Sequence, residues 1–157
     1  SERSRGLGDV YKRQAVDDNY WENPYAMSKW INEQMAPPNS VGMRFTTVYG
    51  PDVRANMMYG LLRDKKATYV TNHKRDWIHV HDVCNAIRCL APSTLTGPVS
   101  IGYGKSVPVR KLAEKFGQGD LPLKEFTPGE AEDNVADISI MASTGWMPTI
   151  SVLDSVE

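Results

Sequence analysis

A tyrosine and a lysine stand four residues apart in Tyr25-Ala-Met-Ser-Lys29, directly after Pro24. Pro24 suits the first turn of a helix, and at about 3.6 residues per turn both side chains then share one face, one turn apart. A phenol titrates near pH ~10, and an adjacent ammonium favours its ionised form, so the pair can make Tyr25 a proton acceptor near neutrality. Oxidation of an alcohol needs such a base. An ordinary pair on a helix surface has the same spacing, so the surrounding elements and further motifs must discriminate.

The elements that would position the pair are marked by the punctuation of the chain. Tyr25 to Met35 holds good helix formers until Pro37-Pro38 stops them. Val41 to Tyr49 is rich in Val, Phe, Thr and Tyr and is closed by Gly50-Pro51, which predicts one strand and a turn. Ala55 to Lys65 repeats Met57, Met58, Leu61 and Leu62 at helical spacing, as core or lobe packing does. Ala67 to Thr71 and Trp77 to Val80 read as short strands around a polar turn over Asn72 to Asp76. Asp82 is placed to cap a helix running to Leu90, and Val99 to Gly102 is a strand ending in the turn Gly102-Tyr-Gly-Lys105. Val107 to Phe116 reads as helix, Leu123 to Phe126 as strand, and Ala136 to Thr144 as a last helix stopped by Gly145. This alternation predicts an α/β or mixed α+β arrangement with parallel pairing in at least part of the sheet.

Composition narrows the function classes. At 157 residues and 41% hydrophobic content the chain is one ordinary domain or part of a larger protein. No run approaches the ~18 apolar residues of a membrane span and no apolar segment follows the basic N-terminus, so a cytoplasmic address is expected. A net charge of −1 with scattered lysines and arginines disfavours nucleic acid and leaves room for a small anionic ligand. Cys84 and Cys89 sit five apart in a predicted helix, where they should be reduced core thiols. Residues 1–14 show no periodicity and read as a non-native leader; the native part then begins near Ala15 as a protein cut open on its N-terminal side.

A second constellation follows the pair. In Gly42-Met-Arg-Phe-Thr-Thr-Val-Tyr-Gly-Pro51, alternation points Arg44 and Thr47 to opposite sides. Thr47 lies where open α/β sheets place their ligands, and Arg54 follows the Gly-Pro turn within reach of the same ligand. His79, His81 and Cys84 match no metal spacing, and no metal is expected. Gly102-x-Gly104 is too short for a phosphate fingerprint and reads as a turn.

Four segments, Tyr25-Ala-Met-Ser-Lys29, Arg44-x-x-x-Val-Tyr-Gly-Pro51, Lys74-Arg-Asp-Trp-Ile-His-Val-His-Asp82, and Pro128-Gly-Glu130 with Ala136-Asp-Ile-Ser139 and Gly145-Trp146, stand in order. Together, over residues 15–150, they resemble the extended short-chain dehydrogenase/reductase family, the NAD-dependent epimerases and dehydratases of nucleotide sugars. The resemblance implies that residues 15–52 end a Rossmann-like, doubly wound dinucleotide-binding sheet. Residues 53–157 would form a small substrate-binding lobe, with 82–102 returning a helix and a strand to the main sheet. It implies that Tyr25 takes the sugar hydroxyl proton as hydride leaves for NAD, while Lys29 lowers its pKa and bonds the nicotinamide ribose. Arg75 would clamp the nucleotide diphosphate, with Asp76 orienting it.

Within that family, Thr47 and Arg54 resemble the threonine and arginine with which uronate 4-epimerases hold the sugar carboxylate, which favours a UDP-glucuronate-like substrate. Thr127, often arginine in galactose epimerases and dehydratases, agrees with that branch. The resemblance also implies a homodimer through the helix carrying Tyr25 and Lys29. A nucleotide-sugar 4,6-dehydratase or reductase is the alternative within the class, and a non-catalytic dinucleotide or sugar-nucleotide binding module the alternative outside it. The glycine-rich dinucleotide fingerprint, the acidic ribose ligand and the catalytic serine or threonine have no counterpart in the sequence. The expectation is therefore the substrate half of an epimerase, inactive alone, with the flank of Val41 to Val48 unpaired.

Overall fold

Residues 24–54, 57–125 and 132–155 are described by the computed structural model, and they alternate helix and strand. α1 (Pro24–Gln34) leads into β1 (Val41–Phe45) and β2 (Thr47–Tyr49), followed by α2 (Met58–Arg63), β3 (Val70–Thr71) and β4 (Lys74–His79). Then come α3 (Val80–Leu90), β5 (Gly97–Ile101), β6 (Ser106–Pro108) and α4 (Val109–Lys115). β7 (Leu123–Lys124), β8 (Asp133–Asn134) and α5 (Ser139–Ala142) complete the order. The pairs β1–β5, β2–β4, β3–β7 and β4–β8 are parallel and β4–β6 is antiparallel, which is the α/β class the alternation predicted.

The single strand expected over Val41 to Tyr49 is two strands in two sheets. β1 runs beside β5 from Val41↔Gly97 to Phe45↔Ile101, and β5 then ends. Thr46 closes that ladder, its N–H donating to the Ile101 carbonyl at 3.1 Å. Thr47 to Tyr49 then pair with Trp77 to His79 of β4. Both halves carry the same β-forming residue types, so periodicity could not show the change of partner.

Other boundaries moved for identifiable reasons. Arg75 and Asp76 lie inside β4, not in a turn, because Lys74–Asp76 pair with β6 while Lys74 and Arg75 pair with β8. α3 starts before Asp82: its cap is His79, whose Nδ1 accepts the His81 N–H at 3.2 Å. Residues 106–108 form β6 against β4, so α4 begins only at Val109. The last helix shrinks to Ser139–Ala142, since the Ala136 N–H donates to Asp76 and Asp137 Oδ1 accepts the Ser139 N–H. β7 stops at Lys124, with Phe126 outside the described residues, and α2 covers only Met58–Arg63 of the expected 55–65, where 55 and 56 are likewise outside. Cys84 is exposed and Cys89 half-buried; both are free, and Cys84 is not the core thiol expected.

Two cores share β4 as their wall. Alternation along the strand sends Trp77 into a cluster with Tyr49, Tyr59, Leu62 and Leu112, and sends Ile78 into one with Val83, Ala86, Ile101, Met141 and Trp146. The C-terminal strap is fastened across both. Trp146 Nε1 donates to the Asp82 carbonyl, and the Asp82 carboxylate accepts the N–H groups of Thr149 and Ile150 and the Thr149 hydroxyl, all at 2.9–3.0 Å. Tyr49 donates its hydroxyl to the Ile150 carbonyl at 3.2 Å and accepts one from Ser155 at 3.1 Å. No helix among the described residues is long and apolar enough to cross a membrane.

Candidate functional site

α1 carries the chemistry-bearing pair. Tyr25 stands in its first turn and Lys29, exposed, in the next; the Tyr25 side chain lies outside the described part. Glu33, one further turn along, forks onto Arg44 near the C-terminal end of β1: Arg44 Nε donates to Glu33 Oε1 at 2.6 Å and Nη2 to Oε2. A charged residue in an apolar strand needs such a partner, which is the sequence signal that could have found this bond.

Thr47, half-buried, opens β2 just beyond the C-terminal end of β1. Arg75 sits on the neighbouring strand β4, two residues before the Trp77 that pairs with Thr47, so about two strand rises separate their rows. The structure thus brings Thr47 and Arg75 onto adjacent strands. Arg54 is exposed at the end of the turn after β2, where the Val53 N–H donates to Gly50 O at 3.2 Å and the Met57 N–H to Arg54 O at 3.0 Å. Arg63 Nη1 also donates to the Pro51 carbonyl, fixing the turn from the α2 side. Thr127 and Pro128 to Glu130 lie outside the described residues.

Asp76 is the hub behind these positions. Its carboxylate is fully buried and accepts the N–H groups of Tyr103 at 2.6 Å, Gly104 at 2.9 Å and Ala136 at 2.9 Å. Its own N–H donates to Asn134 Oδ1 at 3.1 Å, and the Thr46 hydroxyl is 3.4 Å away. Burial pushes the carboxyl above its ordinary range, against the pull of the three backbone N–H groups. Asp76 therefore joins the ends of β1 and β5 to the strand that carries Arg75. Among the described residues no group of three or more His, Cys, Asp or Glu could hold a metal ion.

The sequence model of the NAD dependent epimerase/dehydratase family matches residues 10–102. The chain belongs to this family. No characterised protein sequence matches it, whereas solved epimerase and dehydratase structures share its fold. A UDP-glucose 4-epimerase from Thermotoga maritima superposes with a TM-score of 0.73 at 18% identity, over 85% of this chain and 50% of that one. A UDP-glucuronic acid 4-epimerase from Bacillus cereus, in complex with UDP-glucuronic acid and NAD, gives 0.66 at 20% identity over 85% and 50%. TunA, an NAD-dependent NDP-hexosamine 5,6-dehydratase of tunicamycin biosynthesis, gives 0.73 at 22% identity over 94% and 57%. The chain spans about half the length of these epimerases and dehydratases.

NAD is the cofactor of the epimerase/dehydratase family, and its two ends fit this chain differently. Lys29 and Tyr25 suit the nicotinamide-ribose end in type and spacing. For the phosphates, the Gly-x-Gly turn after β5 is already filled: the Tyr103 and Gly104 N–H groups that could cradle an anion are spent on Asp76. It is a turn, as its length implied, and the sequence holds no glycine-rich cradle elsewhere.

Proposed function

We propose that this chain carries the substrate side of an NAD-dependent nucleotide-sugar 4-epimerase whose sugar is a uronate of the UDP-glucuronate type. The observation that carries this reading is the run from Thr47 to Arg54: a hydroxyl where β1 hands over to β2, and an exposed guanidinium on the turn that follows. Hydroxyl and guanidinium are the donors that hold a carboxylate. A 4-keto uronate is a β-keto acid and decarboxylates readily, so its carboxylate must be kept fixed.

Tyr25 takes the proton of the C4 hydroxyl and later returns it, with Lys29 stabilising the phenolate. When bound, NAD supplies the hydride acceptor and donor at C4. Arg75 holds the diphosphate from β4, and Thr47 and Arg54 keep the uronate end in place while the 4-keto sugar presents its other face. Of the two parts expected over 15–52 and 53–157, the described residues 24–52 belong to the end of the dinucleotide side and those from 53 to 155 to the substrate lobe, with the α3 to β5 stretch returning to β1. α1 is the dimerisation helix, an assignment supported by its exposed Ile31 and Met35. With no phosphate cradle in the sequence, these residues alone bind NAD weakly and do not turn over.

Kinetics on the full-length protein test the substrate. Arg54→Ala should raise KM for UDP-glucuronate by about tenfold or more while leaving UDP-glucose within about twofold, the mark of a lost charge-assisted bond. Equal effects on the two sugars would remove the uronate assignment. Tyr25→Phe should abolish turnover with nucleotide-sugar binding retained; retained turnover would remove the base. Product analysis by NMR separates a 4-epimer from the 4-keto-6-deoxy sugar of a dehydratase. Calorimetry of the 157-residue chain with NAD should show no stoichiometric binding.

A further inference from the structure

We propose that Arg63 is a positioning residue for the uronate site: held by Asp64, it fixes the tip of the turn from Gly50 to Val53 and thereby the place of Arg54. The role of Arg54 rests on the function proposed above; the hold on the turn rests on geometry. The Val53 N–H donates to the Gly50 carbonyl at 3.2 Å, which puts Pro51 and Asp52 at the two corners of the turn. Among the described non-glycine residues only Lys65 has a positive φ, so Asp52 has a negative one and the turn is type I. The bond that closes the turn leaves its middle peptide free, and that peptide carries the Pro51 carbonyl. Turning the peptide over gives the type II form, with φ > 0 at Asp52, a conformation aspartate tolerates better than most residues. Arg63 Nη1 donates to the Pro51 carbonyl and so opposes that flip.

The base of the turn has its own anchors. Tyr49 is buried in the first core cluster, Val53 packs against that cluster, and a Cβ on Gly50 would stand 2.8 Å from Val80 Cγ1. The tip, Pro51 and Asp52, is exposed, and Arg63 reaches it from α2; the charge of Asp52 attracts the same guanidinium. α2 is a firm support for this reach: Tyr59 and Leu62 belong to the first cluster, and Gln118 Nε2 donates to the Leu62 carbonyl at 2.6 Å. Arg63 Nε donates to Asp64 Oδ1 at 2.8 Å, while the Asp64 N–H donates to the Gly60 carbonyl at 2.9 Å and Lys66 Nζ lies 4.0 Å from Asp64 Oδ2. The guanidinium thus spends one edge on Asp64 and another on Pro51, a grip in two directions that its planar set of donors allows. Arg54 follows Val53 directly, and the Met57 N–H donates to its carbonyl, so the residue is bracketed between the turn and the start of α2. The two arginines therefore differ: the charge of Arg63 is balanced by Asp64, whereas Arg54 stays exposed. An ion pair as open as that of Arg63 and Asp64 adds little to global stability, so its effect is local.

Hydrogen exchange of the full-length protein, read by mass spectrometry, tests the hold with no ligand present. In Arg63→Met, which keeps the apolar stem and removes the donors, peptides covering residues 50–57 should exchange about tenfold faster, while those covering β5 exchange as in wild type. Arg63→Lys, which keeps the charge and loses the second edge, should change the same peptides in the same direction, and it carries the test if the methionine variant fails to fold. Unchanged exchange over 50–57 in either folded variant overturns the hold. A kinetic cycle with Arg54→Ala then tests whether the hold acts through Arg54. Arg63→Met alone should raise KM for UDP-glucuronate by about fivefold, but by less than about twofold in the Arg54→Ala background. Full addition of the two effects would overturn the positioning role. If Arg54→Ala leaves KM for UDP-glucuronate unchanged, the proposed function itself falls, and the exchange result, which needs no ligand, tells that failure from a failure of the hold.

Discussion

Gly102 lies so close to Asp76 that a Cβ at position 102 would stand 2.7 Å from Asp76 Oδ2. The same atom would meet Ala136 Cβ at 2.6 Å and Thr46 Cγ2 at 2.8 Å. Each of these neighbours is held: Asp76 by its bonds to Tyr103, Gly104 and Ala136, and Thr46 by the end of the β1 ladder. Absence of a side chain at 102 is thus a condition for the carboxylate to reach the two N–H groups that follow it.

Gly102→Ala should therefore destabilise the chain by about 1–3 kcal/mol, the usual range for overpacking a filled interior. Urea denaturation checks this, with Gly42→Ala as the control. A Cβ at 42 meets only Pro98 Cα at 3.9 Å, an ordinary contact, so the control should unfold near wild type.

Asp76→Ala removes the acceptor of three backbone N–H groups at once, and each buried donor left without a partner costs about 1–3 kcal/mol. Asp76→Asn should lie between wild type and the alanine variant. Its one oxygen can face Tyr103, as Oδ1 does, or Gly104 and Ala136, as Oδ2 does, but not both sets. Chemical denaturation orders the three proteins; an asparagine variant as unstable as the alanine one would mean that charge, not acceptor count, holds the hub.

What was legible in the sequence is what depends on local pattern. Pro24 and Pro37-Pro38 bracketed α1 because proline acts on its own backbone and its immediate neighbours, and the family motifs sit on residues whose identities chemistry restricts. What was not legible depends on partners far along the chain. The break at Thr46 exists because β5 ends at Ile101, and the short α5 reflects the pull of Asp76 on Ala136 across sixty residues. Asp82 looked like a helix cap because aspartate commonly is one, yet its carboxylate is taken by Thr149 and Ile150, which no local rule connects to it. The same holds at the site. That Tyr25 and Lys29 stand one turn apart on a helix could be read from spacing, whereas the Glu33 to Arg44 bond joins two elements and needed the fold to show it.

Tyr49 should be the last tyrosine to ionise among those the fold buries. Burial pushes its phenol up to about 12, opposed by the bond from Ser155 and reinforced by the neighbouring Tyr59. Ultraviolet titration at 295 nm should show a late phase near that value, absent from Tyr49→Phe. Ser155→Ala removes the bond that favours the phenolate, so the late phase should move higher still. Ionisation of all tyrosines in one early phase would show that the strap from Ile150 to Ser155 does not stay closed over Tyr49.

His79 should make stability fall on mild acidification. Its pKa is lowered from the ordinary 6.5 first by burial and then by the charge of His81, with Asp82 opposing. Tyr49 faces the ring edge-on at 5.1 Å, and Nδ1 accepts the His81 N–H that caps α3, a role it can fill only while that nitrogen is unprotonated. With the folded pKa below the unfolded one, the unfolded chain binds more protons in the interval between them, so stability rises with pH there. The contribution is complete above about 6.5, the unfolded value, and is lost as the pH falls from there through the folded pKa. Denaturation midpoints measured from pH 8 to pH 5 should decline for the wild type. They should decline less for His79→Asn, whose amide oxygen can cap the helix without titrating in that range. Parallel profiles for the two proteins would assign the acid loss to other groups.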